Sequence, residues 1–250
     1  MPSSTPRDSI PAINHGASPL VIGIIGTDTG VGKTQVTKCL AKGLRARARR
    51  VWLHKPLACG GWADGLAEDG RALHALCADG QPLATVCPLQ FPEPASPHLA
   101  AAAASTQVSL AQLLANIDAC RPRAADQHDV LVEGIGGLLV PVTSSRETVA
   151  DLFAAAQLPV LIVTRPHLGT LNHTALTVNV ARARGLRVVG LVLNFHEMVA
   201  DSLAVRSAST ELPLVTGVPL LAVLSYRPHT ADIIEADRLA AAVLSATVTS

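Results

Sequence analysis

The stretch IIGTDTGVGKTQ, residues 24–35, decides the fold. It continues an apolar run that begins at Leu20, and a helical pattern starts at Lys33. A strand, a Gly-rich turn and a helix in that order form a phosphate-binding loop, because backbone N–H groups and a free helix N-terminus direct positive partial charge at phosphates. Thr27 replaces the glycine that commonly opens this loop, and Asp28 places a carboxylate in its mouth. The stretch therefore predicts a polyphosphate site with one unusual acid.

Short β-branched runs and longer helical patterns alternate along the rest of the chain. This alternation is typical of an α/β fold with a mostly parallel sheet and helices on both faces, as in P-loop NTPases. We predict strands at Leu20–Ile25, Val51–His54, Val130–Val132, Val160–Thr164, Val188–Leu193 and Leu220–Leu224. We predict helices at Lys33–Arg49, Glu68–Ala78, Leu110–Cys120, Thr148–Gln157, Thr170–Arg184 and Asp232–Leu244.

The pattern divides the chain into a short leader and one domain. Residues 1–19 are rich in Ser and Pro and lack the apolar run of a signal peptide, so we expect a disordered leader. Residues 20–250 are of a length that suits a single domain. The Pro-rich stretch PLQFPEPASP at 88–97 is interpreted as a loop over the sheet.

Composition excludes several classes of partner. Lys and Arg number 20 against 19 Asp and Glu, and aromatic residues make up 2%, which disfavours nucleic acid as a ligand. No apolar run approaches the roughly 18 residues needed to span a bilayer, so no membrane is expected. The five cysteines show no Cys-x-x-Cys spacing, which fits a reducing cytoplasm better than a disulfide framework or a zinc site.

Acidic residues near the predicted strand ends indicate a magnesium site. Lys33 supplies charge for the β- and γ-phosphates, and the Thr34 hydroxyl is a magnesium ligand in such loops. Magnesium also takes one or two carboxylates. Glu133 follows a buried strand pattern and precedes Gly-Ile-Gly-Gly, and Asp69 is a weaker candidate near a helix start. Lys55 follows the predicted strand Val51–His54, which we expect to neighbour the phosphate-loop strand.

Histidines are interpreted without a metal role. His54, His98 and His173 are predicted to be loop or capping groups, because the sequence contains no His-x-x-x-His pair.

These motifs together resemble the dethiobiotin synthetase family, over about residues 21–224. They occur in the order GTDTGVGKT, HKPLACGG, EDGRAL, SPHLAA, VEGIGGLLVP and HLGTLNHTALT. The resemblance implies an ATP- and Mg²⁺-dependent ligase of biotin synthesis. Its substrate would be 7,8-diaminononanoate: one amine takes up CO₂ as a carbamate, ATP phosphorylates the carbamate, and the second amine closes a cyclic urea.

The resemblance also implies residue roles. Lys55, Lys33 and Thr29 would be catalytic, and Thr34, Asp69 and Glu133 would bind Mg²⁺. ATP would contact Gly30, Val31, Gly32, Lys33, Thr34, Gln35, Asp69, Glu133, Gly134, Ile135, Gly136, Asn194, Phe195, Ser225, Tyr226 and Arg227. The substrate would contact Thr29, Lys55, Cys59, Gly169, Thr170, Leu171 and Asn172, the last four on the second subunit of a homodimer.

Some positions depart from the family pattern. Gly30 stands where a glutamate is common, Cys59 where a hydroxyl is expected, and His167 where lysine is common. The alternative is a partition-ATPase-like dimeric switch of the same fold. Such switches carry a signature lysine at the position of Asp28, so the acid disfavours that alternative.

Overall fold

A computed structural model describes residues 18–77, 80–226 and 232–248. The strands are β1 (Val21–Gly26), β2 (Val51–His54), β3 (Leu57–Cys59), β4 (Leu89–Phe91), β5 (Asp129–Gly137), β6 (Val160–Thr164), β7 (Val188–Asn194) and β8 (Leu220–Leu224). The helices are α1 (Lys33–Ala46), α2 (Glu68–His74), α3 (Pro97–Ala103), α4 (Leu110–Ala119), α5 (Val149–Ala155), α6 (Thr170–Ala183), α7 (Leu203–Thr216) and α8 (Ile233–Val248).

Six strands form one parallel sheet in the order β2-β5-β1-β6-β7-β8, which confirms the predicted α/β architecture. One expectation about this sheet is wrong. The strand that precedes Lys55 does not neighbour the phosphate-loop strand, because β5 lies between β2 and β1. A crossover helix can carry the chain past an empty position that a later strand fills, so chain order alone does not give strand order.

Helices cover both faces of the sheet, as predicted. On one face α1 and α8 pack together so closely that a Cβ added to Gly43 would lie 1.9 Å from the Ala236 carbonyl oxygen. Leu40 of α1 and Leu239 of α8 are fully buried there. Helices α4 to α7 cover the other face, where Phe153 is buried in the larger apolar core. The two cores hold the sheet rigid beneath its carboxyl edge.

The segment between β2 and α4 contains elements that the sequence did not predict. Strands β3 and β4 pair in parallel as a separate two-stranded sheet, with Leu57 opposite Leu89 and Cys59 opposite Phe91. The interpretation of residues 88–97 as a loop is therefore wrong for β4.

Helix α7 was also not predicted. Strands of three residues carry too little periodicity to be read, and α7 contains Pro213, which breaks a helical pattern.

Several predicted boundaries also moved. Helix α1 ends at Ala46 rather than at residue 49, and Ala48 adopts a left-handed φ of 56°. Strand β5 runs to Gly137 rather than ending at Val132. The end predicted for α2 at Ala78 and residues 1–17 of the predicted leader lie outside the described residues. Among the helices that the structure describes, none is both long and apolar enough to cross a membrane.

A side chain completes the outer edge of β2. The Gln81 amide oxygen accepts the Leu53 N–H at 2.8 Å, and its amide nitrogen donates to the Leu53 carbonyl at 2.6 Å. The next bond along this edge joins the Lys55 N–H to the Val86 carbonyl at 2.7 Å. Gln81 thus takes the place of a neighbouring strand, and Lys55 leaves β2 with a fixed backbone.

Candidate active site

A cleft of about 520 Å³ opens at the carboxyl ends of β1, β2 and β5. This is where parallel α/β sheets bind ligands. It is lined by Thr29, Gly30, Gly32, Lys33, Thr34, Lys55, Cys59, Asp69, Pro94, Ala95, Ser96, Pro97, Glu133, Ile135, Gly136 and Val140.

The phosphate loop holds a conformation that requires glycine. Gly32 has a φ of 81°, and a Cβ there would lie 2.1 Å from the Asn194 amide nitrogen. Gly30 has a φ of 71°, although space beside it is open. The Lys33 ammonium turns back over the loop and donates to the carbonyls of Asp28 at 3.1 Å and Gly136 at 2.7 Å. The loop is therefore already folded around its lysine.

Burial changes the acidity of Lys33. Its side chain lies largely out of solvent, and this desolvation, together with repulsion from the Lys55 ammonium, lowers its pKa to about 8. The carboxylates of Glu133 and Asp69 oppose the effect. Phosphate oxygens at this position would favour the charged form further.

Lys55 sits between two carboxylates. Its ammonium lies 2.7 Å from Glu133 Oε1 and 2.6 Å from Asp69 Oδ2, and it is 1% exposed. Burial alone would lower the pKa of Lys55, but the charges and hydrogen bonds of Glu133 and Asp69 outweigh burial and raise it. Burial likewise acts to raise the pKa of Asp69, yet Lys55 and the Thr34 hydroxyl hold it below its ordinary value. Lys55 and Asp69 are thus both ionised near neutral pH.

The hydroxyl of Thr34 and the carboxylates of Asp69 and Glu133 meet beside the Lys55 ammonium. The Thr34 hydroxyl lies 3.0 Å from Asp69 Oδ1 and 2.8 Å from Glu133 Oε1. The other oxygen of Glu133 accepts from the Thr37 hydroxyl at 2.7 Å. Within the described ranges no group of three or more His, Cys, Asp or Glu side chains forms a metal cluster. A hydroxyl and two carboxylates nevertheless fit Mg²⁺, which prefers hard oxygen ligands and takes few of them from protein.

Asn194 ends β7 directly behind the phosphate loop. It is fully buried, and its amide nitrogen donates to the carbonyls of Val31 at 3.1 Å and Gly32 at 3.3 Å. Its amide oxygen is buried and has no hydrogen-bond partner among the described residues. A buried acceptor of this kind is normally satisfied, so the oxygen is available for a donor on a ligand.

Comparisons with known proteins identify the family. A family model described as an AAA domain matches residues 21–233. The ATP-dependent dethiobiotin synthetase BioD of an Anaeromyxobacter species is 45% identical over 215 residues, covering 86% of this chain and 92% of that protein. The protein of the same name from Anaeromyxobacter dehalogenans is 42% identical over 225 residues, covering 90% and 97%. The chain belongs to the dethiobiotin synthetase family.

A solved structure with a similar fold is more distant. The septum site-determining protein MinD of Pyrococcus horikoshii, complexed with Mg-ADP, has a TM-score of 0.52 at 20% identity, covering 89% of this chain and 94% of that one. The likeness shows the fold alone. A switch of the partition-ATPase type is therefore a distant fold relation, whereas the synthetase family is matched along most of the sequence.

The structure brings together many of the residues that the synthetase resemblance singled out. One cleft is lined by most of the phosphate loop and by Lys55, Cys59, Asp69, Glu133, Ile135 and Gly136. The backbone of Val31 and Gly134 is buried behind it, and Gln35 and Phe195 are half-buried. Gly169, Thr170, Leu171 and Asn172 lie at the start of α6 and do not line the cleft. Ser225 and Tyr226 are exposed after β8, and Arg227 lies outside the described residues.

Two placements differ from expectation. Glu133 lies inside β5, opposite Ile24 of β1, rather than after the end of its strand. The glycines after it continue the strand, with a register shift between Ile24 and Gly26. His54 is a fully buried strand residue, not a loop or capping group. Burial lowers its pKa to about 4, although the hydrogen bond that its Nδ1–H donates to the Thr85 carbonyl opposes this shift.

Two residues at this site were missed from the sequence: Thr37, which is buried and contacts Glu133, and Ser96, which lines the cleft. Thr37 fixes the second oxygen of Glu133, and its position one turn after Thr34 was a readable signal. Ser96 lines the cleft from the start of α3. It was visible only as the first letter of the SPHLAA motif.

Proposed function

We propose that this protein is an ATP-dependent ligase that carboxylates 7,8-diaminononanoate with CO₂ and closes the ureido ring of dethiobiotin, releasing ADP and phosphate. The observation that carries the proposal is the convergence of Lys33, Lys55, Thr34, Asp69 and Glu133 in one cleft of a chain that belongs to the synthetase family. This is a step of biotin synthesis, and we propose a cytoplasmic setting for it.

Lys33 and Lys55 would reduce the electrostatic repulsion between the two anions that react. A carbamate is an anion, and it must attack the γ-phosphorus of another anion. Lys33 and Lys55 supply fixed positive charge where negative charge spreads over the transferring phosphoryl group. Mg²⁺ held by Thr34, Asp69 and Glu133 would add further charge stabilisation at the phosphate oxygens.

Ring closure follows inside the same molecule. The second amine attacks the carbonyl of the carbamic-phosphoric anhydride, and phosphate leaves with the bonding electrons. Holding both amines in place gives a large rate advantage, because the step becomes unimolecular. Thr29 and Cys59 line the cleft and would face the diamine. Burial raises the pKa of Cys59 to about 11, so it stays a thiol and a weak hydrogen-bond donor.

The adenine would lie against Asn194. Its free amide oxygen matches the exocyclic amine of that base, and Phe195, Ser225, Tyr226 and Arg227 would border it. The MinD neighbour is itself a Mg-ADP complex, which supports the use of a magnesium nucleotide on this fold.

A homodimer would complete the substrate site. A groove of about 380 Å³ runs beside the mouth of the phosphate loop, lined by Asp28, Leu139 and Leu176 among others. Leu139 is 51% exposed and Leu176 56% exposed. An apolar surface beside a site suits a second copy of the chain. The N-terminus of α6 in that copy, Gly169 to Asn172, would hold the substrate carboxylate.

The test is phosphate release from ATP with Mg²⁺ and bicarbonate, with and without the diamine, and detection of dethiobiotin. We expect release only when the diamine is present. Glu133→Ala is the matched inactive variant, and its circular dichroism spectrum should remain that of a folded protein. Steady ATP hydrolysis that the diamine does not stimulate would instead favour a nucleotide-dependent switch.

A further inference from the structure

The reaction proposed above releases protons that the cleft must accept, and the inference that follows rests on that proposed function. Carbamate formation joins an amine nitrogen to CO₂, and the nitrogen loses a proton. Ring closure joins the second nitrogen to the carbonyl carbon, and that nitrogen loses a proton too. The attacking amine is neutral, and its nitrogen becomes acidic as the C–N bond forms, so an acceptor for that one proton near the diamine speeds both steps.

None of the ionisable groups that line the cleft suits this task. Glu133 already accepts hydrogen bonds from Thr34, Thr37 and Lys55. Asp69 is paired with Lys55 and is a weaker base than usual because its pKa is lowered. These carboxylates already bind an ammonium and hydroxyl groups, which makes them poor proton acceptors for the diamine.

The remaining three groups carry their protons. Lys55 is held as an ammonium by its two carboxylates, and Lys33 donates to two carbonyls. Cys59 stays a thiol near neutral pH. All five ionisable side chains that line the cleft are thus occupied.

Ser96 and His98 offer a different route on the opposite wall. Ser96 lines the cleft, and its hydroxyl oxygen lies 3.2 Å from the Nδ1 atom of His98. Both side chains are half-buried, so the pair connects the cleft with the surface. Imidazole is the side chain that ordinarily gains and loses a proton near neutral pH.

The hydroxyl of Ser96 is not used for capping. Ser96 stands at the N-cap of α3, yet its side chain makes no capping bond to the helix. By contrast, the N-cap residue Ser109 of α4 accepts the backbone N–H of Gln112 at 3.2 Å. A structural role as helix cap therefore explains Ser109 and leaves the orientation of Ser96 toward His98 unexplained.

We propose that Ser96 and His98 form a proton relay that takes the protons released by the diamine. In each step the nitrogen passes its proton to Ser96 Oγ as the C–N bond forms, and the Ser96 hydroxyl passes its own proton to His98 Nδ1. In ring closure the carbonyl–oxygen bond to phosphate breaks at the same carbon. The imidazolium then loses its proton to solvent, and no oxidant or further reactant is needed.

The experiment compares three variants of the full-length enzyme with wild type in dethiobiotin formation. His98→Asn keeps an oxygen that can accept from Ser96 but cannot carry a proton onward. We expect its kcat to fall about 100-fold with little change in the KM for the diamine, as for loss of a general base. Ser96→Ala should show the same pattern, and Ser109→Ala, the matched capping control, should leave kcat unchanged.

Chemical rescue separates proton transfer from a structural effect. Imidazoles of increasing basicity added to His98→Ala should restore kcat, and the restored rate should rise with the basicity of the compound. Unchanged kcat in His98→Asn, or a loss in His98→Ala that no imidazole rescues, overturns the relay. If wild type itself forms no dethiobiotin, the proposed function fails first, so the two failures are distinguishable.

Discussion

At the scale of single residues, Lys55 decides the chemistry of the cleft. It is almost fully buried and forms ion pairs with two carboxylates that come from different parts of the chain. Removing it leaves Glu133 as a buried charge without its cation, and removes the charge that would meet the phosphoryl group.

We expect Lys55→Gln to lower kcat at least 100-fold and to reduce the free energy of unfolding by about 3 kcal/mol. Steady-state kinetics and urea unfolding measure the two effects. Lys38→Gln, at a half-buried lysine of α1 outside the cleft lining, is the control and should change neither. Wild-type turnover from the Lys55 variant would refute the assigned role.

Asp28 is the acid in the mouth of the phosphate loop. It is exposed, and its Oδ1 accepts the N–H of Thr29 at 2.7 Å. Asp28→Asn keeps an oxygen for that bond and removes only the charge. We expect the KM for the diamine to rise about fivefold, the effect of one unit charge near an ammonium in water, with kcat preserved. Asp118→Asn, at an exposed position on α4, is the control and should leave the KM unchanged. An unchanged KM in the Asp28 variant would remove the basis for a role of Asp28 in orienting the ammonium.

At the scale of elements, the sequence predicted most strands and helices that are long enough for a period to repeat, and it missed the 14-residue helix α7, which contains Pro213. The phosphate loop with its strand and helix was readable because it has a fixed pattern of glycines and polar groups beside an apolar run. Strands β3 and β4 were not, since three residues cannot display an alternation. Glu133 was identified but placed after its strand, because glycines usually indicate a turn and here they continue β5.

Strand β2 carries a buried histidine that should make stability depend on pH. His54 accepts a proton less readily in the folded state, where its pKa is about 4, than in the unfolded state, where it is about 6.5. The unfolded state therefore binds the proton first, and stability falls as pH drops through this window. The loss amounts to about 3 kcal/mol between pH 6.5 and pH 4.

We expect this slope to be smaller in His54→Gln than in wild type. Unfolding free energies measured at several pH values between 4 and 7 test it. The variant is less stable at pH 7 because the Thr85 carbonyl loses a well-placed donor, but the test is the slope and not the level. His173→Gln, at an exposed position on α6, should keep the wild-type slope. An equal slope in both variants would contradict the assignment to His54.

At the scale of the whole molecule, the sheet places the candidate site and the apolar groove side by side. The sequence predicted several residues that line the cleft, because they follow or precede predicted strands and helices, but it could not place β5 between β1 and β2. It also could not show which leucines remain exposed, since exposure depends on how α6 packs. Leu139 and Leu176 meet only in three dimensions.

The proposed homodimer leads to a prediction about this groove. Leu176→Asp should convert a dimer to a monomer in analytical ultracentrifugation, because a charge in an apolar interface has no partner. The KM for the diamine should rise at least tenfold in the variant, since the second subunit would hold the substrate carboxylate. Leu214→Asp, on α7 and 74% exposed outside the groove, is the matched control and should stay dimeric. A dimeric Leu176 variant would place the interface elsewhere.

The contact of Lys55 with both carboxylates also bears on the order in which ligands arrive. Two ammonium groups and two carboxylates balance in the cleft, so a free metal ion meets no excess of negative charge there. Only the triphosphate of ATP adds the excess negative charge that attracts a divalent cation to the cleft. The nucleotide and its metal should therefore enter as one complex, and the protein alone should bind the ion weakly.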